Sequence, residues 1–318
     1  MSTQVQEVGL DIASLTQTKK KKKWFTRRTV PLYLMALPAI VLTFMFRYVT
    51  LPGWALAFAD WRISGFQGWV GWEHFRFLFN LDSFWSAFLN QWRFVLLGYL
   101  FKFPAPIIMA LLLNEIRLKT YKKTVQTVTI LPNFVNWVVI GGIFTMILSP
   151  RYGYVNDIIR VFGGEPVYFL SMPRLFPWLF TGMRIWKEAG YSAIIYLAAL
   201  SAVDQELYEA AVIDGAGRLR QTFAVTIPVL MPTVLVLFVL SFGRVLQGFF
   251  EPILVLKNPL INETAQILDT YIYEIGLLRA RYGLGTAAGL FKASIGITLL
   301  LVANWLSKQV TEDGRGII

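Results

Sequence analysis

Cysteine is absent from this chain of 318 residues, and histidine occurs only once, as His74. The lack of thiols excludes disulfides, thiolate metal sites and cysteine nucleophiles. A single histidine can build neither a metal centre nor a charge-relay triad by itself. No glycine is followed directly by lysine, so the chain lacks the phosphate loop that binds ATP. The chain therefore cannot bind and split ATP in the manner of a phosphate-loop protein.

Charged residues are also scarce, at 15% of the chain, whereas 56% of the residues are hydrophobic. This composition is too apolar for an ordinary soluble domain, and it predicts an all-α integral membrane protein. Pro104, Pro106 and Pro132 predict kinks in the second and third of its hydrophobic stretches. Six stretches are long enough to cross a hydrocarbon core of about 30 Å, and they are approximately 31–51, 88–112, 126–148, 177–200, 228–252 and 284–306.

The net charge of +11 is concentrated before the first hydrophobic stretch, where residues 19–23 are all lysine. Nucleic-acid binding is one interpretation of this run, but we interpret it as a cytoplasmic anchor for anionic lipid headgroups. With the N-terminus inside, fifteen lysines and arginines fall in cytoplasmic segments and eight in external loops. This asymmetry predicts two cytoplasmic termini: a basic tail over 1–29, a transmembrane domain over 30–307 and a C-terminal tail over 308–318.

A polar hairpin over residues 203–228 separates the fourth and fifth stretches and faces the cytoplasm in this topology. Asp204 can cap a first helix by accepting a hydrogen bond from a backbone N–H group. Gly215 supplies the permissive backbone that ends such a helix. Ala210 and Ala211 leave a low surface that another protein could approach closely. The pattern predicts a short helix, a glycine break and a second helix.

The spacing within this hairpin is Glu209-Ala-Ala211, three residues, Gly215, nine residues, and then Val225-Thr-Ile227-Pro228. It resembles the signature of ABC importer permeases, in which Ile-x-Leu-Pro follows at the same distance, so Val225 and Ile227 depart conservatively. The resemblance implies a coupling helix that sits in a groove of an ATPase subunit. The residues that it assigns to ATPase coupling are Glu209, Ala210, Ala211, Asp214 and Gly215. An ordinary capped helix pair between two spans is the alternative.

Further segments extend the resemblance over most of residues 32–307, among them Phe103-Pro-Ala-Pro106, Ile185-Trp-Lys-Glu188 and Asp269-Thr-Tyr-Ile-Tyr273. They are similar to the polysaccharide-type carbohydrate permeases, a subgroup of binding-protein-dependent ABC sugar importers. The resemblance implies a type I ABC importer permease in the bacterial cytoplasmic (inner) membrane, surrounded by membrane lipid and carrying oligo- or polysaccharide. It also implies three kinds of partner: a second homologous permease, two ATPase subunits that hold ATP and Mg²⁺, and an extracellular or periplasmic solute-binding protein. It implies that this chain is a non-catalytic subunit, not an enzyme, and that it binds no cofactor, metal or nucleic acid itself.

Ionisable residues inside the predicted spans are candidates for the substrate pathway. A charge in the membrane is energetically costly, so such residues are rare and usually have a function. The spans hold seven basic residues but only two acidic ones, Glu188 and Glu251. We hypothesise that several of the basic residues attract an acidic saccharide. Two alternatives remain open: Arg47, Arg93, Arg244 and Lys292 could reach the headgroups, and Lys187 or Arg184 could pair with Glu188 or Glu251 as structural glue.

Two polar groups complete the candidate pathway. Asn133 and Asn136 flank Trp137, whose ring suits the apolar face of a sugar, although aromatic residues at span ends also form the interfacial belt. Gln247 and Glu251 are predicted to lie one helical turn apart in the fifth span. The candidate pathway residues are Asn133, Asn136, Trp137, Lys102, Arg184, Lys187, Gln247, Glu251 and Lys292.

Two other functional classes compete with the importer permease. A secondary transporter or channel for a small polar solute needs no hairpin for an ATPase, and proton coupling asks for acidic or histidine relays that are sparse here. A membrane-embedded transferase needs a catalytic constellation, and His74 has no evident partner motif. Co-purification with an ATPase subunit separates the first class from the other two.

Overall fold

The structure of the protein, a computed structural model, describes residues 29–310. The described residues fall into two compact units, one ending at Gly53 and one beginning at Trp54. Most of the predicted basic tail, residues 1–28, and most of the predicted C-terminal tail, residues 311–318, lie outside the described residues.

In the first unit, helix α1 spans Val30–Arg47, with Pro31 in its first turn and Pro38 in its interior. The helices of the second unit are α2 Glu73–Phe79, α3 Asp82–Leu97, α4 Pro104–Asn114, α5 Lys119–Ile130, α6 Trp137–Ile147, α7 Tyr154–Val161, α8 Phe176–Ser201, α9 Gln205–Ile213, α10 Arg218–Gln221, α11 Ile227–Phe242, α12 Phe250–Leu256, α13 Asn262–Ala265, α14 Leu268–Ile272 and α15 Tyr282–Val310. Short 3₁₀ helices lie at Leu51–Phe58, Leu131–Phe134, Phe169–Ser171 and Pro259–Ile261, and π-helical segments lie at Gly98–Lys102, Thr222–Thr226 and Tyr273–Leu278.

The fold is mainly helical, as predicted, but the chain is not all-α. Strands β1 (Ala59–Arg62) and β2 (Gly65–Trp69) form an antiparallel hairpin in which Trp61 is paired with Phe66. Gly65, with a φ of +105°, allows the tight reversal between the strands, and cross-strand aromatic pairs stabilise such sheets. Sequence analysis missed the hairpin because it lies between hydrophobic stretches and contains only a few residues on each side.

Four segments of the described residues are long and apolar enough to cross a membrane: Val30–Phe58, Asp82–Asn114, Arg218–Phe242 and Tyr282–Leu306. A fifth candidate is a bent pair of helices, Lys119–Phe134 and Trp137–Ile147. Helix α8 has 26 residues, which is sufficient length for a span, but it contains the charged residues Arg184, Lys187 and Glu188. These three charges lie within five residues of one another and distinguish α8 from the four apolar segments.

Prolines account for the main irregularities of these helices. The chain bends by 105° between α5 and α6, next to Pro132, which confirms the predicted kink there. Before Pro104 the helix widens into the π-helical segment Gly98–Lys102, in which the Phe103 N–H bonds to the Gly98 carbonyl at 2.8 Å. A proline cannot donate to the preceding turn, so the helix changes its hydrogen-bonding pattern at that point.

Helix α8 lies at the centre of the second unit and packs against α4, α5 and α11. One core cluster joins it to α3 and α12 through buried aromatic residues that include Phe94, Phe180 and Phe249. Close approach to α5 depends on Gly190, because a Cβ atom there would collide with the Thr129 carbonyl. The charged face of α8 is therefore held in a fixed position by rigid neighbours.

Candidate functional site

A cavity of about 730 Å³ lies within the second unit, between the α3–α4 junction, α8 and the end of α11. Its lining comes from three segments that are far apart in sequence, within residues 95–106, 184–196 and 237–249. Each segment contributes polar side chains among apolar ones. An apolar cavity with a few convergent polar groups is the usual form of a binding site for a small molecule or an oligomer segment.

Interruptions in the helices bring polar groups to this cavity. The π-helical segment Gly98–Lys102 contributes Tyr99 and Lys102 to the wall, and such segments are frequent at functional sites. On another wall, α11 ends at Phe242, and the turn that follows contains Gly248 with a φ of +78°. Only glycine adopts this backbone conformation without strain. The turn places Arg244 and Gln247 at the cavity.

Lys102 and Arg184 converge on the carboxylate of Glu188. Lys102 Nζ forms an ion pair with it, and Arg184 Nε donates to Glu188 Oε1 at 3.4 Å. Arg184 and Glu188 are four residues apart and therefore share one face of α8. The Arg184 side chain is only 10% exposed, and its guanidinium lies 4.3 Å from the centroid of the Phe249 ring. Pairing and stacking together offset much of the cost of burying these charges.

The charges that line the cavity do not balance. Arg244 adds a third cationic side chain to Lys102 and Arg184, whereas Glu188 is the one carboxylate in the lining. Two excess positive charges in a partly dehydrated space produce a strongly positive potential. The cavity is therefore suited to an anionic ligand.

Neutral hydrogen-bonding groups line the same cavity. The Tyr99 hydroxyl and Ser241 Oγ lie 2.8 Å apart and join the π-helical segment to α11. Ser192 and Gln247 contribute further polar groups to the lining. Sequence analysis missed Tyr99, Ser192 and Ser241, because an isolated neutral residue in a hydrophobic stretch carries no signal of which face it occupies. Such groups can bond to the hydroxyls of a polar ligand.

The hairpin between α8 and α11 has the geometry that its sequence predicts. Asp204 Oδ1 accepts a hydrogen bond from the Glu206 N–H at 3.0 Å and so caps α9. After α9 ends, Gly215 has a φ of +76°. The Gly215 and Ala216 N–H groups then bond to the Val212 and Ala211 carbonyls, the pattern of a Schellman motif. Both ends of the first helix of the hairpin are therefore capped.

Although the sequence of this hairpin is mainly polar, its surface exposes several apolar side chains. Ile213 is 86% exposed, and four other large apolar side chains are also exposed: Leu207, Val212, Leu219 and Phe223. The predicted coupling residues Glu209, Asp214 and Gly215 are exposed beside them, and so is Ala210, whereas Ala211 is half-buried. Several exposed apolar side chains on one polar loop are typical of a surface that binds another protein.

Comparison with known proteins places this architecture in a family. The family model described as the binding-protein-dependent transport system inner membrane component matches residues 102–312, about two thirds of the chain. The chain belongs to this family. It is therefore the permease subunit of an importer, a multi-pass protein of the bacterial inner membrane, and not the subunit that hydrolyses ATP.

Individual relatives cover nearly the whole permease. The polygalacturonan/rhamnogalacturonan transport system permease protein YteP of Bacillus subtilis (strain 168) is 42% identical over 286 residues, which are 89% of each chain. Protein LplB of the same strain is 38% identical over 298 residues, 93% of this chain and 92% of LplB. A crystal structure of a bacterial alginate ABC transporter, in complex with a periplasmic protein bound to alginate pentasaccharide, contains a chain with a TM-score of 0.82 and 39% identity. That match covers 91% of this permease and 97% of the other chain.

These comparisons confirm the ABC importer family predicted from the hairpin, and they favour it over a secondary transporter or channel. The family and the alginate transporter structure both support a mainly helical fold of the type I ABC permease kind.

Three of the nine candidate pathway residues of this permease line the cavity: Lys102, Arg184 and Gln247. Lys187 lies elsewhere and donates hydrogen bonds to the carbonyls of Pro132, Asn133 and Val135 at the break between α5 and α6. A cation suits this place, because the carbonyls at the end of a helical segment, here the 3₁₀ helix Leu131–Phe134 that follows α5, carry partial negative charge.

Two other candidates stabilise the same break. Asn136 caps α6 by accepting from the Val138 N–H at 2.6 Å, and Trp137 is 8% exposed beneath Lys187, whose Nζ lies 5.7 Å from its ring. Asn133 contributes its backbone carbonyl to Lys187. In this structure these residues hold the bend between two helices and do not line the cavity.

The remaining candidates lie apart from one another. Gln247 and Glu251 are not one helical turn apart, because α12 begins only at Phe250 and Gly248 breaks the helix between them. Glu251 is exposed at the start of α12. Lys292 forms an ion pair with Asp269 and so joins α15 to α14. Of the structural pairings considered from sequence, the structure contains the one between Arg184 and Glu188.

Proposed function

We propose that this permease carries acidic oligosaccharides, with the cavity around Lys102 and Arg184 as part of their pathway. The observation that carries the proposal is the charge balance of the lining: three cationic side chains and one carboxylate. Lys102 and Arg184 share the single carboxylate of Glu188, and Arg244 is exposed, so the lining keeps an excess of positive charge for a ligand. The carboxylates of an acidic saccharide would supply the missing partners.

The neutral part of the cavity supports a sugar as the carrier of those carboxylates. Tyr99, Ser192 and Ser241 offer hydroxyl groups, and the rings of Phe103 and Phe249 offer apolar faces. Sugars present hydroxyls at their edges and C–H groups on their faces, so both kinds of contact are available to them. The names of the relatives agree with this substrate class, since YteP is named for polygalacturonan/rhamnogalacturonan and alginate is described as an acidic polysaccharide.

The proposal includes six spans with both termini in the cytoplasm. Five spans are the four apolar segments and the bent pair α5–α6, and the sixth is α8. A charged span is compatible with the membrane when its charges face the protein interior. Arg184 and Lys187 are buried and Glu188 is half-buried, and all three have partners within the chain. The excess of basic residues on the cytoplasmic side supports this orientation.

The hairpin over residues 203–228 is proposed as the element that binds an ATPase subunit. Glu209, Ala210, Ala211, Asp214 and Gly215 form its predicted contact, and the exposed Ile213, Leu219 and Phe223 extend it. Tyr208 Oη and Thr226 Oγ1 lie 3.0 Å apart and tie the two sides of the hairpin together. A stiff element can transmit the closing of the ATPase pair to α8 and α11, which flank it.

The assembly proposed for this permease contains a second homologous permease, two ATPase subunits that hold ATP and Mg²⁺, and an external solute-binding protein. The crystal structure of the alginate transporter, which includes a periplasmic protein bound to saccharide, supports an assembly of this kind. The saccharide then passes from the binding protein to the permeases, and the ATPase subunits supply the free energy.

A matched pair of substrates tests the acidic part of the proposal. The complete transporter in lipid vesicles is given oligogalacturonate or the same oligomer with every carboxyl methyl-esterified, and uptake is measured with the binding protein loaded in both cases. We expect uptake of the acid form to exceed that of the ester at least about tenfold, a difference of about 1.4 kcal/mol that one charged hydrogen bond can supply. Equal uptake of the two forms would overturn the acidic substrate and leave the importer assignment intact.

A further inference from the structure

Glu188 occupies the position in the cavity that a carboxylate of the substrate would take. Its carboxylate is the shared partner of Lys102 and Arg184, which come from two different walls. It lines the cavity itself, and its side chain is 26% exposed, so a ligand in the cavity can reach the ion pair. Among residues 29–310, no backbone N–H group or hydroxyl donates a hydrogen bond to Glu188.

We propose that Glu188 is an exchangeable counterion, a specificity-determining residue that pairs with Lys102 and Arg184 while the cavity is empty and yields them to the carboxylate of an acidic saccharide. This inference rests on the proposed function and goes beyond it, because it assigns a role to the one acidic residue of the lining. The two cations then remain paired in both states. Their pairing avoids the cost of an isolated charge in a dehydrated site.

The geometry around the three residues supports exchange more than permanent pairing. Arg184 has two contacts that do not involve Glu188: its guanidinium lies 4.3 Å from the centroid of the Phe249 ring and 5.9 Å from that of Phe180. These rings hold the guanidinium in place when its carboxylate partner changes. Glu188 is attached to Arg184 only through a contact of 3.4 Å, which is long for a charged hydrogen bond. Lys102 lies on the π-helical segment next to Pro104, where the helix is already irregular.

A second ion pair of the same type shows what a permanent arrangement looks like. Lys257 Nζ pairs with Glu274, and Gln266 Nε2 also donates to the second oxygen of Glu274 at 2.9 Å. The Lys257 side chain is 11% exposed, whereas that of Lys102 is 27% exposed. Neither Lys257 nor Glu274 lines the cavity. Each glutamate has two partners, but the Lys102–Glu188 pair is the more exposed of the two and lines the cavity, so it is the pair that a ligand can reach.

Exchange makes a distinctive prediction for the variant Glu188→Gln. The amide removes the competing charge, so an acidic oligosaccharide no longer has to displace a carboxylate. We expect the dissociation constant of oligogalacturonate to fall about tenfold. Maximal uptake should fall as well, because nothing replaces the saccharide on Lys102 and Arg184 when it leaves. Loss of a merely structural ion pair would weaken binding or leave it unchanged.

The experiment measures oligogalacturonate binding to the purified permease–ATPase complex by calorimetry, without the binding protein, and uptake by the complete transporter. Glu188→Asp keeps the charge and should behave nearly as the unchanged protein does. The double variant Lys102→Met/Glu188→Gln removes the cation as well and should bring the dissociation constant back up. Glu274→Gln is the matched control, because it makes the same change in an ion pair outside the cavity and should not alter the preference for acid over ester.

Two outcomes decide the matter separately. If the unchanged protein prefers the acid but Glu188→Gln binds it no more tightly, the exchange role is wrong and the proposed substrate class stands. If the unchanged protein does not distinguish acid from ester, the proposed substrate class fails first. Should Glu188→Gln fail to assemble, Glu188→Asn is compared with Glu188→Asp, since the two differ only in the charge of residue 188. The Asn variant should bind oligogalacturonate more tightly, and equal binding by the two variants would overturn the exchange role.

Discussion

The cavity and the hairpin over residues 203–228 differ in which side chains they bury and which they expose. In the cavity, partly buried cations are paired with Glu188 and stacked on aromatic rings. The lining still has an excess of positive charge that is available to a ligand. The hairpin instead exposes apolar side chains such as Ile213 and Phe223. Each region is incomplete within this chain. The cavity has more positive than negative charge, and the hairpin exposes apolar side chains, so each indicates the chemistry of what binds there.

The two regions also differ in how they depend on the backbone. The hairpin is built from consecutive residues, and its shape depends on local features such as the positive φ of Gly215. The cavity is assembled from three distant segments, and its shape depends on helix packing and on interruptions at Pro104 and Gly248. Single substitutions should therefore disrupt the hairpin through its backbone and the cavity through its charges.

The largest effect is expected from Gly215→Pro. Proline fixes φ near about −65°, whereas Gly215 has a φ of +76° and donates its N–H to the Val212 carbonyl at 3.0 Å. The substitution should abolish ATP-driven uptake, measured in vesicles, while the permease still inserts in the membrane. Gly217→Pro is the matched control, because Gly217 already has a φ of −65°. Full uptake by the Gly215 variant, together with normal assembly with the ATPase, would refute the proposed docking role.

Lys187→Met sharpens the distinction between the cavity and its scaffold. Lys187 donates to three backbone carbonyls at the α5–α6 break, and its loss leaves them without their shared donor. We expect the free energy of unfolding to fall by about 2–4 kcal/mol, measured by thermal unfolding of the purified transporter in detergent. Lys123→Met, at an exposed lysine of α5, should have little effect.

The same variant tests whether Lys187 has a second role as a pathway residue. A scaffold residue should leave the preference for oligogalacturonate over its methyl ester unchanged in the transporter that remains folded. A lost preference with normal thermal stability would place Lys187 in the pathway, as its sequence position first suggested.

The hairpin could be predicted almost completely from sequence, and the cavity only in part. The cap at Asp204 and the break at Gly215 are local, so each follows from one residue type and its neighbours. Lys102 and Arg184 were found because charge in a hydrophobic stretch is conspicuous. Lys187 is equally conspicuous in the sequence, but in the structure it binds the backbone at a helix bend. Sequence analysis could not separate it from Lys102 and Arg184, because the sequence does not tell which face of a helix a residue occupies.

The fold shows the same limit. The mainly helical class follows from composition, and the kink at Pro132 follows from the chemistry of proline. The hairpin of β1 and β2 and the break between Gln247 and Glu251 do not, because hydrophobicity reports burial and not the regularity of the backbone. Gly248 was the one local signal for that break, and its meaning depended on a positive φ that only the structure reveals.

The smallest effect is expected from Asp204→Ala. The variant removes the oxygen that caps α9 and leaves the Glu206 N–H without its partner, which costs about 1 kcal/mol of helix stability. Since the hairpin is exposed and short, we expect a partial, few-fold reduction in ATP-driven uptake and in co-purification of the ATPase. Asp204→Asn retains a capping oxygen and should restore most of both. An uptake defect as severe in the Asn variant as in the Ala variant would mean that Asp204 acts through its charge, in direct contact with the ATPase, and that the rigidity of α9 contributes less to coupling than the Schellman motif at its other end.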